Sequence, residues 1–366
     1  MALDTITLSH FRNHRETRLD GARQFNLLVG ENGAGKTNVL EAISLFAPGR
    51  GLRRAALGEM AGLEGTGGFA VGASLAARDG EEPVRLGTYT QPHQPGRRLV
   101  RINSAATSAV SLGEWLSIGW LTPAMDRLFA DSAGARRRFM DRMALALDPS
   151  HARHANRYDN ALRERNRLLG DDRPPETAWL DGIEAQMAQH GAQLAQSRAR
   201  LVGALGQELA GFPEQPFARP ALAYAAGGPI EQEALAAALK AGRGRDRAAG
   251  RSLTGPHRDE LEVIMAGKDT PAATCSTGEQ KAMLIAITLA HSALTTRGLD
   301  AAQRPNLLLL DEVAAHLDPI RRESLFSRLR GSGAQVWLTG TELAPFEDIR
   351  AEAAVWRVAG GRVERL

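Results

Sequence analysis

The chain has 366 residues, 43% hydrophobic and 24% charged, which is typical of a folded protein with one large or two ordinary domains. Its formal net charge is only +3, so charge alone does not indicate nucleic-acid binding. Its single cysteine excludes an internal disulfide. The sequence shows neither a secretory signal nor the ~18 apolar residues of a membrane helix, so we expect a cytoplasmic protein without a membrane partner.

The first strong signal is a glycine-rich segment between a predicted strand and a predicted helix. Residues 3–8 predict a first strand, and the apolar residues 25–29 predict a short buried one. Residues 30–37 read Gly-Glu-Asn-Gly-Ala-Gly-Lys-Thr and match the phosphate-loop pattern at every position. The next apolar residues recur at helical spacing: Val39, Leu40, Ile43 and Phe46. The order of strand, loop and helix favours a phosphate site over a chance glycine-rich turn.

The residue types of this loop suit the binding of nucleotide phosphates with Mg²⁺. Glycines let the backbone curl so that its N–H groups point towards an anion. We expect Lys36 to reach the β- and γ-phosphates and the Thr37 hydroxyl to bind Mg²⁺. The predicted loop residues are Gly30, Glu31, Asn32, Gly33, Ala34, Gly35, Lys36 and Thr37.

The middle of the chain changes from strand-like to helical patterns. Alternation predicts meander strands at residues 69–77, 84–90 and 98–102. Helical patterns begin near residue 121 and are strongest at residues 136–147, 152–169 and 176–209. Residues 176–209 carry a weak heptad pattern, which predicts one helix of a helical hairpin. Residues 242–250 are rich in Gly and Arg and predict a mobile loop.

Strand patterns return towards the end of the chain. We expect strands at residues 261–265, 307–310 and 335–339, a helix at residues 279–295, and a terminal hairpin within residues 353–366. The sequence therefore predicts an α/β fold in which residues 1–120 and 251–366 build a nucleotide-binding core with a mixed sheet and flanking helices. Residues 121–250 would form an inserted helical lobe.

An acidic pair follows the four consecutive leucines of residues 307–310, which suit a strand buried on both faces. Ligands of parallel sheets bind outside the carboxyl ends of the strands. Asp311 therefore suits the Mg²⁺ shell, and Glu312 suits the general base that activates the attacking water. A solvent-exposed acidic pair is the alternative, which the phosphate loop disfavours.

A second helix start combines a capping pattern with an unusual glycine. Ser276 and Glu279 fit a capping box, so a simple N-cap would explain them. Gly278 lies within the first turn, where it weakens the helix. Its presence favours a second anion site at this helix start.

The chain resembles the ABC-type ATPases in three features and in their order: the phosphate loop, the Ser-x-Gly-Glu helix start and the Asp-Glu pair at a strand end. Four further stretches resemble the RecF family of bacterial recombination mediators. They are residues 11–13 (Phe-Arg-Asn), 32–43, 135–141 (Ala-Arg-Arg-Arg-Phe-Met-Asp) and 254–261 (Thr-Gly-Pro-His-Arg-Asp-Glu-Leu).

This resemblance implies a two-lobed ABC-type ATPase head similar to those of SMC proteins, which forms a homodimer on ATP. Ser276, Gly278 and Glu279 would act in trans on the ATP of the other subunit, and Asp318 would match the D-loop at the dimer seam. Arg12 would approach the nucleotide or pack on the first strand. Asn38 joins the expected nucleotide site, and Thr339 or Thr341 is a candidate γ-phosphate sensor.

The resemblance also implies a function in recombinational repair. RecF-like proteins bind duplex DNA next to single-stranded gaps and cooperate with RecO and RecR to load RecA. Slow ATP hydrolysis, catalysed by Glu312 and Lys36, would release the dimer. The alternatives are an SMC-like DNA tether, which needs a longer coiled-coil arm, and an ATPase subunit of a membrane transporter.

Candidate DNA contacts are arginines, which bind phosphate independently of sequence. They cluster in the predicted helices after residue 121: Arg136, Arg137, Arg138, Arg142, Arg153 and Arg157. A solvated helix face with local acidic partners explains them equally well.

Overall fold

The computed structural model describes residues 2–62, 67–76, 82–171, 176–298 and 304–366, with His316 described by its backbone alone. The strands are β1 (Leu3–Phe11), β2 (His14–Leu19), β3 (Phe25–Val29), β4 (Ala70–Leu75), β5 (Val84–Gln91), β6 (Gln94–Ile102), β7 (Ala105–Thr107), β8 (Ser117–Leu121), β9 (Pro220–Ala225), β10 (Glu260–Met265), β11 (Thr270–Pro271), β12 (Asn306–Leu310), β13 (Gln335–Gly340), β14 (Ala353–Ala359) and β15 (Arg362–Arg365).

The α-helices are α1 (Lys36–Ser44), α2 (Leu57–Met60), α3 (Ala133–Leu147), α4 (Ser150–Leu169), α5 (Thr177–Ala210), α6 (Gln232–Ala241), α7 (Arg243–Ala248), α8 (Thr277–Arg297), α9 (Pro319–Ser332) and α10 (Glu347–Arg350). They alternate singly with strands only from α8 to β14, whereas runs of strands and of helices come before. No helix within the described ranges is both long enough and apolar enough to cross a bilayer.

The chain divides into two compact units. The first unit comprises Met1–Asp126 and Leu284–Leu366, and the second comprises Arg127–Met283. The sequence analysis predicts that the second part of the nucleotide-binding core begins at residue 251, whereas the second part of the first unit begins at residue 284. The reason is that β10 pairs with β9 and β11 in a small antiparallel sheet, which holds this segment in the second unit.

The first unit contains a mixed six-stranded sheet in the order β15-β14-β3-β13-β12-β8. Strands β14, β3, β13, β12 and β8 are mutually parallel, and only β15 is antiparallel. The residues of β3 and β13 are all buried, as expected for central parallel strands covered on both faces. The rings of Trp337 and Trp356 stack within this core with centroids 5.5 Å apart.

A second sheet of the first unit is an antiparallel meander in the order β2-β1-β4-β5-β6-β7. One face is lined by buried apolar side chains such as Ile6, Leu8, Val71 and Leu86, which join the hydrophobic core. The predicted strand at residues 69–77 is observed as β4, and residue 77 lies outside the described ranges. Five observed strands have no counterpart among the sequence predictions: β2, β7, β8, β9 and β11.

The second unit is built on a long helical pair. Helix α5 extends over 34 residues and packs on α4, as the pattern of residues 176–209 predicts. Residues 242–250 differ from the predicted mobile loop, because helix α7 lies here. Its Arg243 binds Asp181 and Glu184 of α5, and its Asp246 is buried. Ion pairing therefore orders a segment whose Gly/Arg composition predicts a loop.

Candidate nucleotide-binding site

Residues 30–35 form a tight loop between β3 and α1, and Lys36 and Thr37 begin α1, as the phosphate-loop pattern predicts. Gly33 and Gly35 have φ angles of 80° and 116°, which L side chains rarely adopt. At Gly30 a Cβ atom would lie 2.0 Å from the carbonyl oxygen of Val358. Glycine is therefore required at these positions for backbone conformation or for close packing, and glycine-rich turns of this kind can bind an anion through main-chain N–H groups.

Lys36 places a buried ammonium group at this loop. Its side chain is only 3% exposed, and Nζ donates hydrogen bonds to the carbonyl oxygens of Gly30 (2.5 Å) and Glu31 (2.8 Å). Burial lowers the pKa of Lys36, whereas the charges of Glu312 and Asp311 raise it. A bound phosphate would compensate the charge that burial disfavours, so this arrangement suits a nucleoside triphosphate.

The carboxyl ends of three neighbouring strands bring the acidic pair to the same loop. Strand β13 lies between β3 and β12, so the loop after β3 and the residues after β12 lie at one edge of the sheet. Thr37 Oγ1 donates a hydrogen bond to Asp311 Oδ1 at 2.9 Å across 274 residues of sequence. This contact supports the expected pairing of the phosphate loop with the end of β12.

The donor set fits a Mg²⁺ ion held jointly by protein and nucleotide. Thr37 and Asp311 offer hard oxygen atoms, and Mg²⁺ commonly takes one or two protein ligands and fills its shell with phosphate and water oxygens. No group of three or more His, Cys, Asp or Glu side chains suited to a metal occurs among the described residues. Burial raises the pKa of Asp311, while hydrogen bonds from Thr339 and Thr37 lower it.

Glu312 adopts an unusual backbone conformation. Its φ angle is +55°, in the left-handed region that costs a non-glycine residue roughly 1–2 kcal/mol. The Glu312 amide donates to Thr339 Oγ1 at 2.9 Å, and the same hydroxyl donates to Asp311 Oδ1 at 2.8 Å. One threonine hydroxyl thus links both acidic residues, and Thr341 lies exposed beyond it.

Two further candidates, Arg12 and Asn38, are engaged by protein groups near the loop. Arg12 Nε and Nη2 form a two-pronged ion pair with the fully buried Glu41 at 2.9 and 2.8 Å. Asn38 Nδ2 donates to Asn13 Oδ1 at 2.7 Å, and its Oδ1 accepts from Arg53. In this structure Arg12 therefore anchors helix α1.

Two residues that the sequence analysis did not assign to the site, Asn13 and His14, contact carbonyl oxygens of the phosphate loop. Asn13 Nδ2 donates to Ala34 O at 3.0 Å, and His14 Nε2 lies 3.0 Å from Gly35 O. Because a carbonyl oxygen only accepts, Nε2 carries the proton in this contact. Burial lowers the pKa of His14, against opposing hydrogen bonds to Gly35 and Gly361. The stretch at residues 11–13 that resembles the family includes Asn13, whereas the only signal for His14 is its position directly after that stretch, at the start of β2.

The Ser276 helix start belongs to the second unit and forms the predicted capping box. The Glu279 amide donates to Ser276 Oγ at 3.3 Å, and the Ser276 amide donates to Glu279 Oε2 at 2.9 Å. A hydrogen bond from Lys268, followed by those from Ser276, lowers the pKa of Glu279 to about 2. A Cβ atom added to the exposed Gly278 would meet nothing within 4 Å. Local packing thus gives no reason for a glycine here.

Asp318 caps helix α9 in the first unit. Its carboxylate accepts the Arg321 amide at 3.0 Å, and its side chain is half-exposed. Ile320, two residues later, is 71% exposed. A solvent-facing Asp-Pro-Ile segment is compatible with the expected seam, and that assignment stays a prediction.

The candidate DNA arginines fall into two groups. Arg136 forms a two-pronged pair with Glu260 at 2.7 and 2.8 Å, and Arg137 donates to Asp259 O at 2.8 Å. Arg138, Arg153 and Arg157 are exposed on α3 and α4. The local-partner explanation therefore fits Arg136 and Arg137, and the half-buried Arg142 lies over the Phe139 ring, 5.3 Å from its centroid. The other three are accessible to a ligand.

Comparison with known proteins identifies relatives along nearly the whole chain. The family model described as the RecF/RecN/SMC N-terminal domain matches residues 2–361. The DNA replication and repair protein RecF of Mesorhizobium japonicum is 45% identical, covering 99% of this chain and 97% of the relative. RecF of Caulobacter vibrioides is 44% identical, covering 100% of this chain and 98% of the relative.

Solved structures show the same fold. A structure of the recombination mediator RecF with ATP has a TM-score of 0.85 at 21% identity, covering 100% of this chain and 97% of that chain. The Smc head domain of Pyrococcus furiosus has a TM-score of 0.56 at 15% identity, covering 100% and 96%. The fold is thus that of an ABC-type head ATPase, and the chain belongs to the RecF family within the RecF/RecN/SMC group.

Proposed function

We propose that this chain is an ATP-switched DNA-binding protein of recombinational repair. The observation that carries the proposal is the hydrogen bond between Thr37 and Asp311, which joins a phosphate loop to the acidic end of β12. The RecF relatives, 42–45% identical and named for DNA replication and repair, support the same biological setting.

ATP would act as a linker between two copies of the chain. The loop of one copy binds the triphosphate, and the Ser276 helix start of the other copy faces the γ-phosphate with its positive end. Asp318 lies at the seam between the copies. Loss of the γ-phosphate would remove the charge that holds the two surfaces together, so hydrolysis releases the dimer.

The residues at the carboxyl ends of the strands would carry out slow hydrolysis. Lys36 neutralises the phosphate oxygens, and Glu312 orients and deprotonates the attacking water. When bound, Mg²⁺ held by Thr37 and Asp311 would stabilise the charge that develops on the phosphates. The chain would thus be a weak, DNA-stimulated ATPase whose turnover sets the lifetime of the dimer on DNA.

The proposed ligand is duplex DNA next to a single-stranded gap. Arg138, Arg153 and Arg157 are the exposed candidates for phosphate contacts. The proposed partners are RecO and RecR, through which the chain promotes loading of RecA in the cytoplasm. The solved RecF relative is described as part of a RecFOR pathway, which supports this choice.

The two alternative functions have weaker support. An SMC-like tether needs a long arm, whereas α5 has 34 residues and a length of only ~50 Å. A transporter ATPase would not account for relatives named RecF along 96–98% of their lengths.

The decisive experiment measures molar mass by light scattering with and without ATP and Mg²⁺. The wild-type mass should double with ATP. Lys36→Arg should remain monomeric, because the larger guanidinium group cannot occupy the buried ammonium site beside Gly30 and Glu31.

Lys240→Arg is the matched control, since Lys240 is exposed on α6 and should leave ATP-dependent dimerisation intact. A wild-type chain that stays monomeric at saturating ATP would refute the proposed switch. Equal dimerisation by Lys36→Arg would refute the role of Lys36.

A further inference from the structure

A groove crosses the solvent face of the antiparallel meander, within the first unit. Its volume is about 280 Å³, and its lining includes Thr7, Ser9, Glu16, Gly72, Gly87 and Tyr89. This volume lies just below the ~300–1,000 Å³ of typical small-molecule sites, so it suits one compact ring system. None of these residues belongs to the nucleotide site.

The groove is formed by two adjacent rows of cross-strand neighbours, here called rungs, which run perpendicular to the strands. In the first rung, Thr7 pairs with Gly72, Gly72 with Gly87, and Gly87 with Arg101. The second rung, two residues along each strand and therefore on the same face, contains Glu16, Ser9, Ala70 and Tyr89. The two glycines add no side chains to the floor, which Thr7 Oγ1 borders at Gly72 and which is open at Gly87, and larger side chains lie on both sides.

The fold itself does not require both glycines. A Cβ atom at Gly72 would come within 2.6 Å of Thr7 Oγ1, so packing explains that residue. At Gly87 a Cβ atom would meet nothing within 4 Å, and its φ angle lies outside the range that favours glycine. Glycine inside a strand weakens it and often marks a place where a ligand approaches the backbone. Gly87 thus leaves the space above this part of the strand open to a ligand.

The walls of the groove combine an aromatic ring with polar groups. The Arg101 guanidinium lies 5.5 Å from the centroid of the Tyr89 ring. On the opposite side, Ser9 Oγ donates to Glu16 Oε1 at 2.7 Å, so the carboxylate is held at the rim. Arg85 and Arg97 are also exposed, Arg85 beyond Gly87 on β5 and Arg97 beyond Leu99 on β6, so basic side chains lie on both sides of the groove along the strands.

We propose that this groove binds one unstacked nucleobase of single-stranded DNA. An open floor and an aromatic wall suit a planar ring, Glu16 can accept hydrogen bonds from an exocyclic amino group, and the neighbouring arginines can bind the flanking phosphates. A peptide strand is disfavoured, because peptides add to an open sheet edge and this groove lies across the interior strands β1, β4 and β5. The inference rests on the proposed function only in taking DNA as the ligand.

The test uses a short single-stranded oligonucleotide with one central 2-aminopurine, in the absence of ATP. The wild-type chain should bind it with a change in 2-aminopurine fluorescence as the base leaves its neighbours and enters the groove. Gly87→Val places a β-branched side chain on the floor and should weaken binding about tenfold. Tyr89→Leu should weaken it similarly, whereas Tyr89→Phe should retain the stacking wall.

Gly96→Val is the matched control, because a Cβ atom at Gly96 of β6 also meets nothing within 4 Å and Gly96 does not line the groove. Wild-type affinity in Gly87→Val, or an equal loss in Gly96→Val, would overturn the proposal, as would absence of the fluorescence change in the wild type. ATP-dependent dimerisation, followed by light scattering, reports on the proposed function separately.

Discussion

At the residue scale, the Thr339 hydroxyl fixes two acidic residues by one pair of hydrogen bonds. It donates to Asp311 Oδ1 and accepts from the Glu312 amide, which carries the positive φ angle. Backbone outliers of this kind persist where surrounding contacts enforce them, and they cluster at functional sites. This makes Glu312 the residue whose substitution is most informative.

We predict that Glu312→Gln lowers the rate of ATP hydrolysis by at least about 100-fold and leaves ATP binding intact, because the amide cannot take a proton from water. The dimer on DNA should then be long-lived. Phosphate release and dissociation from labelled DNA measure the two effects. Glu342→Gln, at an exposed position of the same unit, is the control; a Glu312→Gln chain with wild-type turnover would exclude the assigned base.

A second residue-scale prediction concerns His14 behind the phosphate loop. Its folded-state pKa is lowered from 6.5 by burial, so the unfolded chain binds a proton more readily than the folded chain. His14 should therefore stabilise the fold fully above about pH 6.5 and less as the pH falls below that value.

Urea unfolding of the wild type and His14→Gln between pH 8 and pH 5 measures this contribution. Burial also lowers the pKa of His154, His190 and His257, so the relevant quantity is the difference between the two chains. A difference that does not change with pH would contradict the prediction.

At the element scale, helix α7 shows how a buried charge orders a polar segment. Arg165 of α4 is fully buried, and it donates to Glu184 of α5 at 2.9 Å and to Asp246 of α7 at 2.7 Å. It also donates to Ser252 Oγ and to the carbonyl oxygen of Leu239. One guanidinium group thus connects helices that are distant in sequence.

We predict that Arg165→Ala destabilises the protein by about 3–5 kcal/mol, because it leaves Glu184 and Asp246 buried without their shared partner. Urea unfolding measures the loss. Arg163→Ala, at an exposed position two residues earlier on α4, should change stability by less than ~0.5 kcal/mol. Equal effects of the two substitutions would show that the buried network contributes little.

At the scale of the whole molecule, the proposed site is shared between two chains. Gly278 offers a clean test, because a Cβ atom at this exposed position meets no neighbour within 4 Å and the variant should fold. We predict that Gly278→Gln abolishes ATP-dependent dimerisation, while the same substitution at the open helical position Gly182 does not.

Mixing two inactive chains should restore one shared site. Each proposed site combines the phosphate loop of one chain with the Gly278 helix start of the other. A dimer of Lys36→Arg with Gly278→Gln therefore contains one site with both substitutions and one intact site. The mixture should recover up to about half of the ATPase activity of a dimer with two intact sites. Activity that stays at the level of either variant alone would contradict action in trans.

The amino-acid sequence by itself determined the phosphate loop, the acidic residues after the leucine run and the capping box, because each depends on neighbours within a few residues. It also predicted the α/β class and the long helix α5 from hydrophobic periodicity. The action of Ser276 and Gly278 in trans and the role of Asp318 came from family resemblance, and they remain predictions.

Only the tertiary structure decided which distant residues meet. It brought Thr37 to Asp311 and Asn13 to the phosphate loop, paired Arg136 with Glu260, and moved the unit boundary to residue 284 through the pairing of β9 with β10. The physical reason is that strand pairing and buried ion pairs join residues far apart in the chain, which leave no periodic signal in the sequence.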